Sequence, residues 1–199
     1  MGSAVPASQT EVGSGDEQAG KAAGLAVELL EGVGSRLDHT RRVADQAGRA
    51  CRLLGGPWAA ALVPAAWLHD VGYSPAVAVT GFHPLDGARY LRRSGWPSEV
   101  CRLVAWHSAA GAEAELRGLA LTLADEFTPP PPEAAAAMAW ADLTSSPAGE
   151  LWSVQDRLAE ILERYPPGTL VHRAVSAAAP ELVAAASAVE AGCGICQPI

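Results

Sequence analysis

Four of the five histidines and two aspartates have the types and spacing that could build a metal site. The adjacent pair His69-Asp70 ends an apolar run that begins at Ala65. An imidazole beside a carboxylate in such a place is costly to bury unless a metal binds both. The other candidate ligands are spread along the chain, at His39, His83, His107 and Asp142. This set predicts a centre with imidazole and carboxylate ligands.

Helical spacing places most of these candidates on apolar helix faces. His39 follows a segment, Ser35 to Asp38, that is typical of a helix-capping box, and shares its face with Val43 and Ala47. The same spacing groups three further candidates with apolar residues: His69 with Leu62, Ala65 and Ala66, His107 with Val100, Leu103 and Val104, and Asp142 with Ala135, Met138 and Ala139. A single such histidine is usually a core residue bonded to a carbonyl. Six candidates together favour a metal site, because buried charge without a partner is strongly disfavoured.

The order of these residues resembles the HD-domain superfamily of metal-dependent phosphohydrolases, in the version with two extra histidines that commonly holds two metals. Trp67 to Tyr73 is similar to the family's "LLHDIG" core, and His83 to Ala88 is similar to its "H-x-x-x-G-A" segment. The resemblance covers about residues 35 to 165. It implies an all-α, single-domain HD-type helical bundle.

The resemblance also implies how the ligands divide between two ions. The first metal would be held by the first histidine, the HD pair and the last aspartate, which are His39, His69, Asp70 and Asp142. His83 and His107 would complete a second site, with Asp70 bridging both ions. Asp125 is the alternative for the last aspartate. Asp142 is preferred because Trp140 to Thr144 resembles the family's terminal "A-D-x-x-T".

The implied reaction is hydrolysis of a small phosphorylated metabolite or nucleotide by metal-activated water, with Asp70 and Arg42 as catalytic residues. Arg42 is chosen because it follows His39 by three residues on the same predicted helix. Imidazole-rich ligation favours iron or manganese, with zinc, cobalt or nickel as alternatives. A second branch of the superfamily uses the same ligands in a mixed-valent diiron oxygenase that cleaves C–C or C–P bonds. Ligand identity does not separate the two reactions.

The elements that must position these residues are all predicted to be helices. Breakers divide the chain into nine helical segments, at about 20–32, 35–54, 57–71, 84–94, 97–109, 112–127, 132–145, 153–165 and 168–189. The domain is expected at 19–190, between a flexible leader at 1–18 and a tail at 191–199. The tail carries Cys193 and Cys196, which lack the second pair that a zinc ribbon needs.

Charge and hydropathy limit the possible partners. The net charge of −8 argues against a nucleic-acid polymer or an anionic membrane, since both require a cationic surface. No signal peptide and no uninterrupted apolar stretch long enough to cross a bilayer is expected. The sequence therefore predicts a cytoplasmic enzyme with a small-molecule substrate.

Overall fold

The computed structural model describes residues 12–194, with side chains from residue 15 onward. Ten α-helices make up this part of the chain: α1 (Val12–Leu30), α2 (Arg36–Ala50), α3 (Gly56–Leu68), α4 (His83–Arg93), α5 (Ser98–Ala105), α6 (Ala110–Arg117), α7 (Ala120–Glu126), α8 (Pro132–Leu143), α9 (Val154–Arg164) and α10 (Leu170–Cys193). Short 3-10 turns follow α2 and α3. The described residues form no strand beyond an isolated bridge between Ser145 and Leu151. The predicted all-α fold is confirmed.

Helix α3 lies at the centre of the bundle. It packs against α1, α2, α5 and α8, because it is apolar on nearly every face and must be covered on all sides. Leu62, Ala65, Ala66 and Leu68 are fully buried in it. The alanines keep α3 thin enough for neighbouring helices to approach. This helix delivers the HD pair, which directly follows its last residue, into the interior.

Several helix boundaries differ from those predicted. Helix α5 ends at Ala105, so His107 lies beyond it rather than on its face. Gly118 is left-handed (φ 69°) and separates α6 from α7 within the segment predicted as one helix. Helix α2 begins at Arg36 as expected, but the Ser35 side chain makes no capping hydrogen bond.

The ends of the domain also differ from expectation. Helix α1 begins at Val12, inside the segment expected as a leader. Helix α10 extends to Cys193, inside the segment expected as a tail. The rest of the expected leader, residues 1–11, and Cys196 lie outside the described residues.

Among the described helices, α10 is long and apolar enough to cross a membrane by length and composition. This corrects the expectation that no segment would qualify. Helix α10 also packs against α6, α8 and α9, and its most apolar stretch is 33% buried within the bundle.

Two glycines permit the close approaches that position the site. A Cβ at Gly72 would lie 2.0 Å from the carbonyl oxygen of His83, so only glycine lets the turn after α3 rest against the start of α4. Gly149 has φ +80°, and a Cβ there would lie 2.7 Å from the carbonyl oxygen of Asp38. The loop after α8 therefore rests directly on the first turn of α2, which carries His39.

Candidate metal centre

The six predicted ligands lie at the ends of five helices. His39 is in the first turn of α2 and His83 is the first residue of α4. His69 and Asp70 directly follow α3, His107 follows α5, and Asp142 lies in the last turn of α8. All except His83 are buried, and the His83 side chain is 15% exposed. These helix ends converge, so residues far apart in sequence form one polar cluster inside an apolar bundle.

Asp70 lies between two groups of possible metal ligands. One group joins it to His39 and His69, and the other joins it to His83 and His107; within each group the donor atoms lie within 4.8 Å of one another. Oδ1 of Asp70 is 3.6 Å from Nε2 of His69 and 3.6 Å from Nε2 of His83. A single carboxylate is therefore placed beside imidazoles of both groups.

Asp142 belongs to the same cluster. Its Oδ1 is 3.1 Å from Nε2 of His39. Asp125, the alternative last ligand, is exposed on α7. The arrangement favours Asp142 over Asp125, as the sequence did.

Backbone carbonyls hold three of the imidazoles by the nitrogen that faces away from the cluster. The Nδ1–H of His39 donates to the carbonyl oxygen of Ser146 (3.1 Å). In the same way, His69 donates to the carbonyl oxygen of Ala66 (2.8 Å) and His107 to that of Val104 (2.7 Å). A carbonyl can only accept, so Nδ1 must carry a proton in each ring. In a neutral ring this leaves the lone pair on Nε2, as in histidines that bind metals.

The cluster has unmet bonding capacity that a metal ion would satisfy. Nε2 of His69 is buried and has no hydrogen-bond partner in the described part of the chain. Such orphaned buried polar atoms are rare and costly. A neutral His39 would turn its Nε2 lone pair toward the Asp142 carboxylate, and a cation on Nε2 removes that conflict. The donor set fits one or two divalent ions with mixed nitrogen and oxygen ligation.

Electrostatics set the protonation states that metal ligands need. Burial alone would raise the pKa of Asp70, but the positive charges of His69 and Arg36 outweigh burial and hold this pKa well below its usual range. Asp142 has a pKa below its usual value for a similar reason, since the His39 hydrogen bond and the His69 charge outweigh burial. Burial lowers the pKa of His69, and burial with the nearby His107 lowers that of His83. Both carboxylates are thus held in the charged form that metal ligands need.

Arg36, which no sequence pattern indicates, supports Asp70 from outside the cluster. Its Nη1 donates to Oδ2 of Asp70 at 2.8 Å. Its guanidinium lies 3.9 Å from the ring centre of Tyr73, and Tyr73 stacks on His83 with ring centres 4.0 Å apart. Arg36 therefore holds the shared carboxylate of Asp70 directly. It also packs on Tyr73, which in turn stacks on His83.

The prediction that Arg42 reaches the pocket is wrong. Its Nε donates to the carbonyl of Gly149 at 2.7 Å, and its Nη1 lies 3.5 Å from Asp45. Among the described residues, Arg42 is not one of those that line the cavity. Arg36 and Arg42 are both three residues from His39, but helical side chains lean toward the helix N-terminus. At the start of α2 this lean carries Arg36 to Asp70, while the loop after α8 covers Arg42.

Ser108 is a second residue that the sequence did not indicate. It is non-glycine yet has φ +49°, a strained conformation that often marks a functional site. Its hydroxyl donates a hydrogen bond to Oδ2 of Asp142. The strained turn after His107 thereby orients the aspartate contributed by α8.

A cavity of about 100 Å³ opens above the cluster. One side, which we call the ligand wall, consists of His39, Asp70, His83, His107 and Asp142 with Arg36. A second group of lining residues, which we call the arginine wall, comes from α9, the residue after it and the first turns of α10. It consists of Arg157, Ile161, Arg164, Tyr165, Val171 and Val175. Pockets for drug-sized ligands measure about 300–1,000 Å³, so this cavity suits a small ligand.

Comparison with known proteins gives one match. The family model described as HD domain matches residues 36–143, which contain all six candidate ligands. No curated protein and no solved structure matches the chain. The match ends at Leu143, before α9 and α10, so the arginine wall lies outside it.

Proposed function

Since this chain belongs to the HD-domain family, as a match over more than half of its length shows, we propose that it is a metal-dependent phosphohydrolase. Its substrate is a small phosphorylated metabolite or nucleotide. The resemblance drawn from the sequence is thereby confirmed at the level of the family. Substrate class and reaction are the proposal.

The observation that carries this proposal is the position of Asp70 between two groups of imidazoles. A carboxylate shared by two groups can bridge two ions, and the orphaned Nε2 of His69 lies beside it. Four imidazoles among six ligands favour iron or manganese, with zinc, cobalt or nickel as alternatives, over magnesium, which prefers oxygen ligands.

Bound divalent ions would lower the pKa of a coordinated water toward neutrality and offset negative charge on a phosphoryl oxygen. Attack of water on phosphorus would break the P–O ester bond and release an alcohol and phosphate. Asp70 holds the ligand geometry, and Arg36 keeps Asp70 oriented and ionised. Arg36 also lines the cavity and so takes the place, beside a phosphoryl group, that the sequence assigned to Arg42.

We propose a cytoplasmic location and a small-molecule partner, without a nucleic-acid polymer or a membrane. Support comes from the net charge of −8, which offers no extended cationic track, and from the small cavity. The packing of α10 within the bundle agrees with a soluble enzyme.

The test begins with elemental analysis of the purified protein, which should contain one or two transition-metal ions per chain. Phosphomonoesters and nucleotides are then screened for phosphate release, before and after chelation and metal restoration. We expect at least one ester to be hydrolysed, with activity lost on chelation and regained with iron or manganese. Hydrolysis that persists unchanged in the metal-free protein would contradict the proposal.

A different outcome would identify the other branch of the superfamily. A coloured protein with two irons, no phosphate release from any ester and substrate-dependent consumption of dioxygen would reject the phosphohydrolase. It would establish the oxygenase alternative on the same ligands. Running the screen with and without dioxygen separates the two reactions, because ester hydrolysis requires none.

A further inference from the structure

Arg157 on α9 is buried at the cavity with part of its hydrogen-bonding capacity unused. The residue is 6% exposed and lines the arginine wall. Its Nη1 donates to Glu160 at 2.5 Å, but its Nε has no hydrogen-bond partner within residues 12–194. A buried guanidinium N–H without an acceptor is costly, and charged donors bind anionic acceptors most strongly.

A second arginine lies beside it. Arg164 lines the same wall, and its Nε and Nη2 donate to Glu160 at 2.7 and 2.5 Å. Glu160 therefore bridges two arginines of one helix and offsets one of their two positive charges. The ion pairs of Arg157 and Arg164 in the described chain are with Glu160 and not with Asp70 or Asp142. These arginines thus form a group apart from the ligand wall.

The one other carboxylate at the cavity outside the ligand set does not neutralise this group. Glu113 lines the cavity, but its Oε1 is 2.7 Å from Nη2 of Arg117. The rest of the arginine wall includes the apolar Ile161, Val171 and Val175. The cavity is therefore lined both by the metal-ligand cluster and by two arginines that together carry one surplus positive charge.

We propose that Arg157, with Arg164 beside it, forms a subsite for a second anionic group of the substrate. The enzyme would then prefer small phosphomonoesters that also carry a carboxylate or a second phosphate. The phosphoryl group to be cleaved lies at the ligand wall and the second anionic group at the arginine wall. This placement rests on the proposed function for the phosphoryl group, but binding at the arginine wall does not require turnover.

The test measures binding of non-hydrolysable probes to the full-length, metal-loaded protein by calorimetry. The probes are phosphonoacetate, 3-phosphonopropionate and 4-phosphonobutyrate, each compared with the alkyl phosphonate of equal chain length that lacks the carboxylate. We expect at least one carboxylated probe to bind about 10-fold or more tightly than its alkyl counterpart. Three chain lengths are used so that one spans the cavity.

Arg157→Met should remove this preference while leaving alkyl phosphonate affinity unchanged, because it keeps the apolar stem and removes the charge. Arg93→Met, at an exposed arginine of α4, is the matched control and should keep the preference. If Arg157→Met fails to fold, Arg157→Lys retains a charge without the Nε–H and should reduce the preference in part.

Two results would overturn the inference. One is equal affinity of carboxylated and alkyl probes for the unmodified protein at all three lengths. The other is a loss of affinity in Arg157→Met that is the same for both kinds of probe, since Arg157 would then bind the shared phosphonate. Neither depends on phosphate release. A selective subsite without hydrolysis rejects only the proposed function, and hydrolysis without selectivity rejects only the subsite.

Discussion

The two walls of the cavity differ in the kind of partner that their polar groups lack. On the ligand wall, carbonyls hold His39 and His107, Arg36 holds Asp70, and Ser108 holds Asp142, while the neighbouring His69 has an Nε2 lone pair without a partner in the described chain. On the arginine wall, Arg157 keeps an unused donor. The first wall lies within the HD-domain match and the second lies outside it. Under the two proposals above, the ligand wall is the reactive side and the arginine wall selects the substrate.

The strongest test of the ligand wall is Asp70→Ala. Removing the shared carboxylate should reduce turnover to background and lower the bound metal, because both ligand groups lose a member. It also leaves Arg36 without its ion-pair partner, which should cost about 1–3 kcal/mol of stability. Elemental analysis, turnover and chemical denaturation measure these effects.

The double variant Asp70→Ala with Arg36→Met separates the two causes. It should recover much of the stability but neither metal nor activity. Recovery of activity in the double variant would show that Asp70 acts only by neutralising Arg36, and the ligand wall would lose its defining member.

His107→Ala tests whether the wall holds a second ion. The variant should bind about one metal less per chain and lose most activity while remaining folded. His172→Ala is the matched control, because His172 also donates from Nδ1 to a carbonyl, that of Tyr165 at 2.9 Å, yet belongs to neither ligand group. Equal metal content in the two variants would reduce the centre to one ion.

A smaller effect is expected at Ser108, which orients a ligand without being one. Ser108→Ala and Ser108→Gly both remove the hydroxyl bond to Asp142, so each should weaken metal affinity about 10- to 100-fold. Glycine adopts φ +49° without strain whereas alanine is strained there, so the glycine variant should be more stable by about 1 kcal/mol. Metal affinity in Ser108→Gly equal to that of the unmodified protein would mean that the hydroxyl bond does not support the site.

The smallest effect is expected away from both walls, at Glu126, which pairs with Arg89 and Arg92 of α4. The hydrogen bond from Arg89, with that from Arg92, outweighs burial and lowers the pKa of Glu126 below 4.5. The ionised Glu126 carboxylate therefore stabilises the fold at pH values above its ordinary pKa. This contribution disappears as the pH falls through the lower folded-state pKa. Glu126→Gln should cost less than about 1 kcal/mol at pH 7 and nothing in strong acid, with metal content unchanged.

Urea denaturation at the two pH values checks the Glu126 prediction. A stability difference that is the same at both would show that the carboxylate charge contributes nothing. A fall in metal content would show that the ion pairs between Glu126 and α4 affect the position of His83, the first residue of α4, and so the metal centre.

The ligand wall could be predicted from sequence because few residue types bind metals and few roles explain a buried carboxylate beside a histidine. His69-Asp70 is the starting point for the site, and helical spacing points His39 and Asp142 inward, so that the set of candidates predicts a metal centre. The structure brings all six candidates together, although His107 lies past the end of its predicted helix. A small shift in the helix boundary did not remove it from the cluster.

The supporting residues could not be predicted, because arginine and serine are common on exposed helix faces and loops. Arg36 and Arg42 are each three residues from His39, so spacing alone does not tell which of them lies at the metal centre. The direction of helical side chains and the loop around Gly149 decide this. Ser108 acts through a backbone conformation that its residue type does not signal. The position of Arg157 at the cavity depends on how α9 packs against α8 and α10, which are long-range contacts without a local sequence pattern.

The hydrogen bonds from three imidazoles to backbone carbonyls determine when the side-chain conformational entropy of these ligands is lost. Each ring has its rotation fixed as the chain folds, so loss of side-chain freedom is part of the folding equilibrium and not of ion capture. Zinc fingers, by contrast, order their ligands only as the ion arrives. The apoprotein of this chain should therefore keep its helices and cooperative melting, and accept its ions after synthesis as a rigid receptor.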